Sequence, residues 1–158
     1  MYTKQFDIRW RDLDANKHLG NSSYIDFMSH TRMSFFSEND IGMDVMKGMG
    51  LGPIVFYEHI YYFKEVLLGD PITVSLEVAG MSEDGRFIKF EHNFYDKIGK
   101  NLAFSEMLFS WIDLETRKLG KLPSDLKQKI MSFQKGDNFK TLHKEDIRKD
   151  GIAPRDRH

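Results

Sequence analysis

The hydrophobic positions of this chain follow two rhythms, and the switch between them divides it. Asn21-Ser22-Ser23 offers N-cap oxygens, and Tyr24, Phe27, Met28, Thr31 and Phe35 follow at helical spacing, predicting a helix to about Glu38. Ile25, Met33 and Phe36 widen its apolar stripe, so this helix asks to be wrapped on most sides. Gly42 to Pro53 reads as a short helix and a loop. From Ile54 to Phe63 nearly every residue is apolar or aromatic, the mark of a buried strand. A turn at Gly69-Asp70-Pro71 leads into Ile72, Val74, Leu76 and Val78, which alternate with polar residues at period two. Asp84-Gly85 marks a hairpin, and the return strand from about Arg86 to Tyr95 carries Ile88, Phe90 and Phe94 on one face. After a turn over Asp96 to Asn101, the strand Leu102 to Ile112 is apolar on both faces, so it is central or covered by a partner chain.

Three consecutive strands joined by short turns make an antiparallel meander, which places the chain among α+β folds. Pro123 opens a further short helix through Leu126, Ile130 and Phe133. From Lys135 onward the chain turns polar, with Phe139, Leu142 and Ile147 as isolated apolar anchors. Residues 1–134 therefore read as one domain. Residues 135–158 read as a polar C-terminal extension that docks on a neighbour or stays partly disordered.

Composition narrows the chemistry. A length of 158 residues suits a single core. The formal net charge of -1 gives no basic surface for a nucleic acid, whose binding rests on phosphate neutralisation. The absence of cysteine excludes disulfides, thiolate zinc sites and cysteine nucleophiles. The start lacks the form of a secretory signal, and no run approaches the roughly 18 apolar residues of a membrane span. A cytoplasmic protein with no membrane partner is the expectation. The histidines are scattered without ligand spacing, and neither a Gly-rich phosphate loop nor a Gly-x-Ser-x-Gly elbow occurs. No metal and no cofactor are expected.

The informative segment runs from Ile8 to Tyr24 and joins a first strand to the helix. It brings a carboxylate, Asp14, an imidazole, His18, and a helix N-terminus into one short stretch. Acyl transfer needs such parts: a group that attacks or activates water, and N–H donors for the developing oxyanion. The first-turn N–H groups of a helix already carry partial positive charge.

The pattern Asp12-x-Asp14-x-x-x-His18-Leu19-Gly20-Asn21-x-x-Tyr24 resembles the signature of the 4-hydroxybenzoyl-CoA thioesterase family and of the plant acyl-ACP thioesterases. The later Tyr62-x-x-Glu-Val-Leu-Leu-Gly69-Asp70 is similar to the family's second-strand ending and Gly-Asp turn. The resemblance covers residues 3 to 134. It implies the hotdog fold, an antiparallel sheet wrapped around a long central helix, and a homo-oligomer, dimer or tetramer, that binds substrate between subunits. The implied activity is hydrolysis of an acyl-CoA or acyl-ACP thioester, with a place in fatty acid metabolism. Asp14 maps onto the family's catalytic carboxylate, as nucleophile or general base. Leu19 replaces a valine, and Gly20 replaces an asparagine.

Each residue also has a structural reading. Asp14 could bond local N–H groups, and His18 could be an acid-base group or a support for the loop. Asn21 and Tyr24 suit capping and packing, although the backbone N–H of Asn21 is the candidate oxyanion donor. Glu58, in an apolar strand on the same face as Phe56 and Ile60, is a second acid, a surface residue or half of a buried pair with an Arg or His. Tyr24, Met28, Phe56 and Ile60 are candidates to line the acyl pocket, or plain core. Met43, Met46 and Met49 are open to the same two readings. A noncatalytic acyl-CoA-binding hotdog and a hydroxyacyl-thioester dehydratase are the rival functions.

Overall fold

The computed structural model describes residues 1–147 and 152–157. Strand β1 (Tyr2–Phe6) leads through a single 3-10 turn, Trp10–Asp12, to helix α1 (Asn21–Glu38) and the short α2 (Met43–Gly48). Then come β2 (Leu51–Tyr62), β3 (Ile72–Ser82), β4 (Ile88–Tyr95) and β5 (Asn101–Asp113), followed by α3 (Ser124–Met131), β6 (Lys135–Leu142) and α4 (Lys144–Ile147). The sheet order is β1-β3-β4-β5-β2, antiparallel throughout, with β6 pairing parallel to β3. The meander β3-β4-β5 is the one read from the alternation. It is closed at its first hairpin by Gly85, whose φ of 72° belongs to the left-handed region that glycine enters freely.

Helix α1 lies across one face of this sheet. Its buried positions, Ser23, Tyr24, Phe27, Met28, Thr31, Arg32, Phe35 and Phe36, repeat as adjacent pairs four residues apart, a single broad stripe. Ile25 falls outside that stripe and is 40% exposed, so within one chain the helix is covered on one side only. Around its C-terminal half, Phe35 and Phe36 pack on Val78, Phe90, Met107, Phe109 and Trp111. Around its N-terminal half, Tyr24, Phe27 and Met28 pack on Ile72, Val74, Phe94 and Ala103. The hotdog arrangement follows from these contacts: a strongly apolar helix stripe seated on one face of a curved antiparallel sheet.

The outer edge of β3 is shared. β1 pairs with Ile72–Leu76, and β6 takes over from Val78 to Ser82. The segment read as a polar extension thus contributes a strand to the sheet, and its Leu142 rests on Gly80, where a Cβ would stand 2.7 Å from the leucine Cδ2. Alternation in β6 is weak because only its last residue is buried, which is why its pattern reads as tail. At the opposite side, β2 pairs with β5 alone among the described strands, and Val55, Phe56, Tyr61 and Tyr62 are about half exposed along it.

β2 also carries a bulge between Val55 and Tyr57. The extra residue shifts the side-chain parity, so Glu58 and Ile60 face α1 while the Phe56 ring lies 5.7 Å from Phe87. Phe87 packs with Leu108 and Leu142 on the face turned away from α1. The sequence expectation that Phe56 shares a face with Glu58 and Ile60 is therefore corrected by one inserted residue, which uninterrupted alternation cannot reveal.

Candidate active site

The loop between the 3-10 turn and α1 is held almost entirely by its own backbone. The Asp14 N–H donates to the His18 carbonyl at 2.8 Å, and the Lys17 N–H donates back to the Asp14 carbonyl at 3.0 Å. The Asp14 carboxylate accepts through Oδ1 from the N–H groups of Asn16 (2.8 Å) and His18 (3.1 Å). Its Oδ2 has no protein partner among the described residues. The N-cap position of α1 is Gly20, in extended conformation and with no side-chain cap. The Ser23 hydroxyl, expected as a cap, instead donates to the Asp12 carbonyl at 2.8 Å. The N–H groups of Asn21 and Ser22 consequently have no backbone acceptor outside the helix among the described residues.

A cleft of about 390 Å³ opens at this helix start and is lined by Asp14, His18, Asn21, Tyr24 and the segment Tyr62 to Val66. Four of the residues singled out from the motif are thus brought together. His18 points its Nε2 at Glu65 Oε2, 2.8 Å away, and so ties the loop to the end of β2. Tyr24 forms the inner wall. It is 3% exposed, with its ring edge-on to Tyr62 and Phe94, each at 5.0 Å between centroids. Burial, with a lesser contribution from Tyr62, pushes its phenol up to about 12, so it stays protonated as a neutral wall.

The other candidates lie elsewhere. Met28 is fully buried behind Tyr24, and Ile60 packs on the same cluster. Phe56 stands off at the bulge. Glu58 does not line the cleft: its Oε1 lies 3.2 Å from Nη1 of Arg32 on α1, an ion pair without the alignment of a hydrogen bond. Both side chains are largely enclosed, and Arg32 Nη2 donates to Ser29 Oγ at 2.9 Å. Burial lowers the Arg32 pKa against the opposing pull of Glu58. Next to them His92 is fully buried, with Nδ1 2.7 Å from the Ser75 carbonyl and Nε2 without a hydrogen-bond partner among the described residues. Burial first, then the Arg32 charge, brings its pKa down to about 3 and keeps it neutral. Of the three, only Glu58 was singled out from the sequence. Arg32 had a signal: a charged residue four from Met28 and four from Phe36, inside the apolar stripe.

In the sequence Glu65 stands only as part of the second-strand ending, with no role in the site, and Lys64 beside it carries no signal. Among the described residues no group of three or more His, Asp or Glu is placed to hold a metal ion, and no helix is long and apolar enough to cross a membrane.

An antiparallel sheet carrying a helix whose N-terminus meets a loop carboxylate is the layout of a hotdog thioester hydrolase. The profile of the thioesterase-like superfamily matches residues 8–130, and the chain belongs to that family. The long-chain acyl-CoA thioesterase FadM of Escherichia coli (strain K12) is 23% identical over 131 residues, which are 83% of this chain and 98% of that one. Among solved structures, the hypothetical protein SAV2348 from Staphylococcus aureus, in complex with CoA, aligns with a TM-score of 0.77 at 19% identity over 98% of this chain and 95% of its own. The 1,4-dihydroxy-2-naphthoyl-CoA thioesterase Slr0204 from Synechocystis aligns with a TM-score of 0.72 at 16% identity, covering 83% and 96%.

Proposed function

We propose that this chain hydrolyses acyl-CoA thioesters to a free carboxylic acid and CoA, with Asp14 as the catalytic carboxylate. The observation that carries the reading is the meeting of Asp14, with a free Oδ2, and the uncapped start of α1 in one cleft. A water held by Oδ2 gives up a proton to the carboxylate as its oxygen bonds to the thioester carbon. The charge passes to the carbonyl oxygen, which the N–H of Asn21 and the positive end of α1 receive. Collapse of this intermediate breaks the C–S bond, and the proton on Asp14 leaves with the thiolate. Direct attack by Asp14 is the alternative, and single turnover in labelled water separates the two. Direct attack expels the thiolate and leaves an acyl-aspartyl anhydride for water to open. Solvent oxygen in the Asp14 carboxyl, from opening at its Cγ, marks that route, whereas in the first route solvent oxygen enters only the acid product. His18, anchored by Glu65, positions the loop.

The open β2 edge, with its row of half-exposed aromatic residues, supports a homodimer that seals the edge against a second copy. A hydroxyacyl-thioester dehydratase would want a His–carboxylate pair across subunits, whereas the His18–Glu65 pair at the cleft lies within one chain. Release of free thiol from a panel of acyl-CoAs tests the reading directly. Asp14→Asn keeps the Oδ1 acceptor that the loop needs and removes the base. It should fold normally and lose about 10²–10⁴ of kcat, the usual worth of such a group. Near-full turnover by this variant would refute the assignment, and loss of water without thiol release would favour the dehydratase.

A further inference from the structure

A second, larger cleft of about 890 Å³ adjoins the first and shares Lys64, Glu65 and Val66 with it. Its volume lies in the range of small-molecule sites, roughly 300–1,000 Å³. Three carboxylates stand around it, and each is already engaged. Glu65 is paired with His18 at 2.8 Å, and Asp70 with Lys97 at 3.0 Å. Asp96 accepts the N–H groups of Ile98 and Lys100 at 3.0 and 2.8 Å. Lys64 and Lys100 have no carboxylate within ion-pair distance among the described residues. Both line the cleft, and the Lys64 N–H donates to the Leu102 carbonyl at 3.0 Å, two residues past Lys100. The Lys100 side chain and then its charge lower the Lys64 pKa, and only Asp96 opposes the shift. Two ammonium groups side by side repel, and an anion shared between them removes the repulsion and gains charge-assisted hydrogen bonds. The wall beside them is apolar and open, with Leu67 51% and Ile98 80% exposed.

We propose that this cleft receives the phosphorylated end of a coenzyme A thioester, with a phosphate held between Lys64 and Lys100. The inference rests on the acyl-CoA reading and adds to it the residues that recognise the carrier. A thioester at Asp14 sends its thiol arm past Lys64 and Glu65, the boundary of the two clefts, along the apolar wall and toward the paired ammonium groups.

The test is equilibrium binding of CoA, 3′-dephospho-CoA and pantetheine by calorimetry, which needs no turnover. Failure of the hydrolysis reading would appear separately, as absence of thiol release by the wild-type protein. Wild type should bind CoA about tenfold or more tightly than pantetheine, as expected when charged hydrogen bonds are added, and salt should shrink the difference. In Lys64→Gln/Lys100→Gln most of that preference should vanish, along with its salt dependence, at an unchanged melting temperature. Lys97→Gln, whose ammonium is taken by Asp70, should retain it. The 3′-dephospho arm reports which phosphate the lysines hold: weakening to the pantetheine level assigns the 3′-phosphate, and CoA-like affinity assigns the pyrophosphate. A double variant that binds CoA as wild type does, or one that loses affinity for CoA and pantetheine equally, would overturn the proposal. So would a wild-type protein with no preference for CoA.

Discussion

Replacing Glu58 by Gln separates a structural carboxylate from a catalytic one. In the folded chain the Arg32 side chain is 7% exposed and that of Glu58 16%. Without the carboxylate the guanidinium keeps Ser29 Oγ as a neutral partner and has the neutral His92 beside it, so its charge is left uncompensated inside the core. Removing one member of a buried pair costs about 3–5 kcal/mol. The lower end applies here, because Glu58 keeps some contact with water, giving about 3 kcal/mol. With a urea m-value of about 2 kcal/mol/M for a domain of this size, the unfolding midpoint should fall by about 1.5 M. Protein concentration must be held fixed, since association of subunits adds to apparent stability. Replacing both residues by apolar ones, Arg32→Met with Glu58→Leu, should recover most of the loss, because two desolvated charges are removed together. Thiol release by the folded Gln variant should stay within about tenfold of wild type, well short of the 10²–10⁴ loss of an acid–base group. A variant as stable as wild type that loses activity on that larger scale would refute the structural role and make Glu58 an acid.

Two further outcomes follow from the same core and from the sheet edge. His92 titrates near 3 when folded against an ordinary 6.5, so the unfolded chain takes up a proton that the folded chain refuses. Its contribution is fully present above pH 6.5 and is lost toward pH 3, at about 1.4 kcal/mol per pH unit. His92→Gln should flatten this acid limb in melting curves taken from pH 6.5 down to 4, and an identical slope in the variant would refute the buried neutral imidazole. Light scattering should show a dimer or tetramer that carries the activity. A stable, active monomer would show that the β2 edge is tolerated open.

The order of elements was legible because β3 alternates apolar and polar residues from Ile72 to Val78, because β4 alternates in burial, because β5 is a long run apolar on both faces, and because α1 repeats its buried pairs every four residues. What stayed hidden depends on contacts distant in sequence. The bulge at Phe56 inserts one residue without altering the composition of β2, and it reverses which side that ring faces. β6 is a strand because β3 offers it a free half-edge beyond β1, not because its own residues alternate. In the site, Asp14, His18, Asn21 and Tyr24 were legible together because they sit within one loop and one helical turn. Lys64 and Lys100 were not, since they reach the larger cleft from beyond β2 and from the β4–β5 turn, and single charges there carry no pattern. Glu65 stands in the second motif, but its pairing with His18 joins residues far apart in sequence.

The two aspartates of the loop are held in different ways. Asp12 is 5% exposed and accepts the Arg9 backbone N–H at 2.8 Å, while Arg9 Nε and Nη2 grip its two oxygens at 3.0 Å each. Burial pushes its pKa up, but these bonds and the charges of Arg9 and Arg11 outweigh it and hold the carboxyl below its ordinary value. Its carbonyl takes the Gly20 N–H at 2.9 Å and the Ser23 hydroxyl at 2.8 Å, fixing where α1 begins. Every polar atom of Asp12 that these bonds use is spent on geometry, and it has no free oxygen to offer a substrate. Asp14, two residues on, uses Oδ1 for the loop, lines the cleft at the helix start and has no protein partner on Oδ2 among the described residues. In the proposed reaction the spacing Asp-x-Asp thus sets a rigid anchor beside the catalytic carboxylate. Rigidity at the first fixes the loop that brings the second to the same cleft as the uncapped helix start, as the electrostatic preorganisation of the proposed reaction requires.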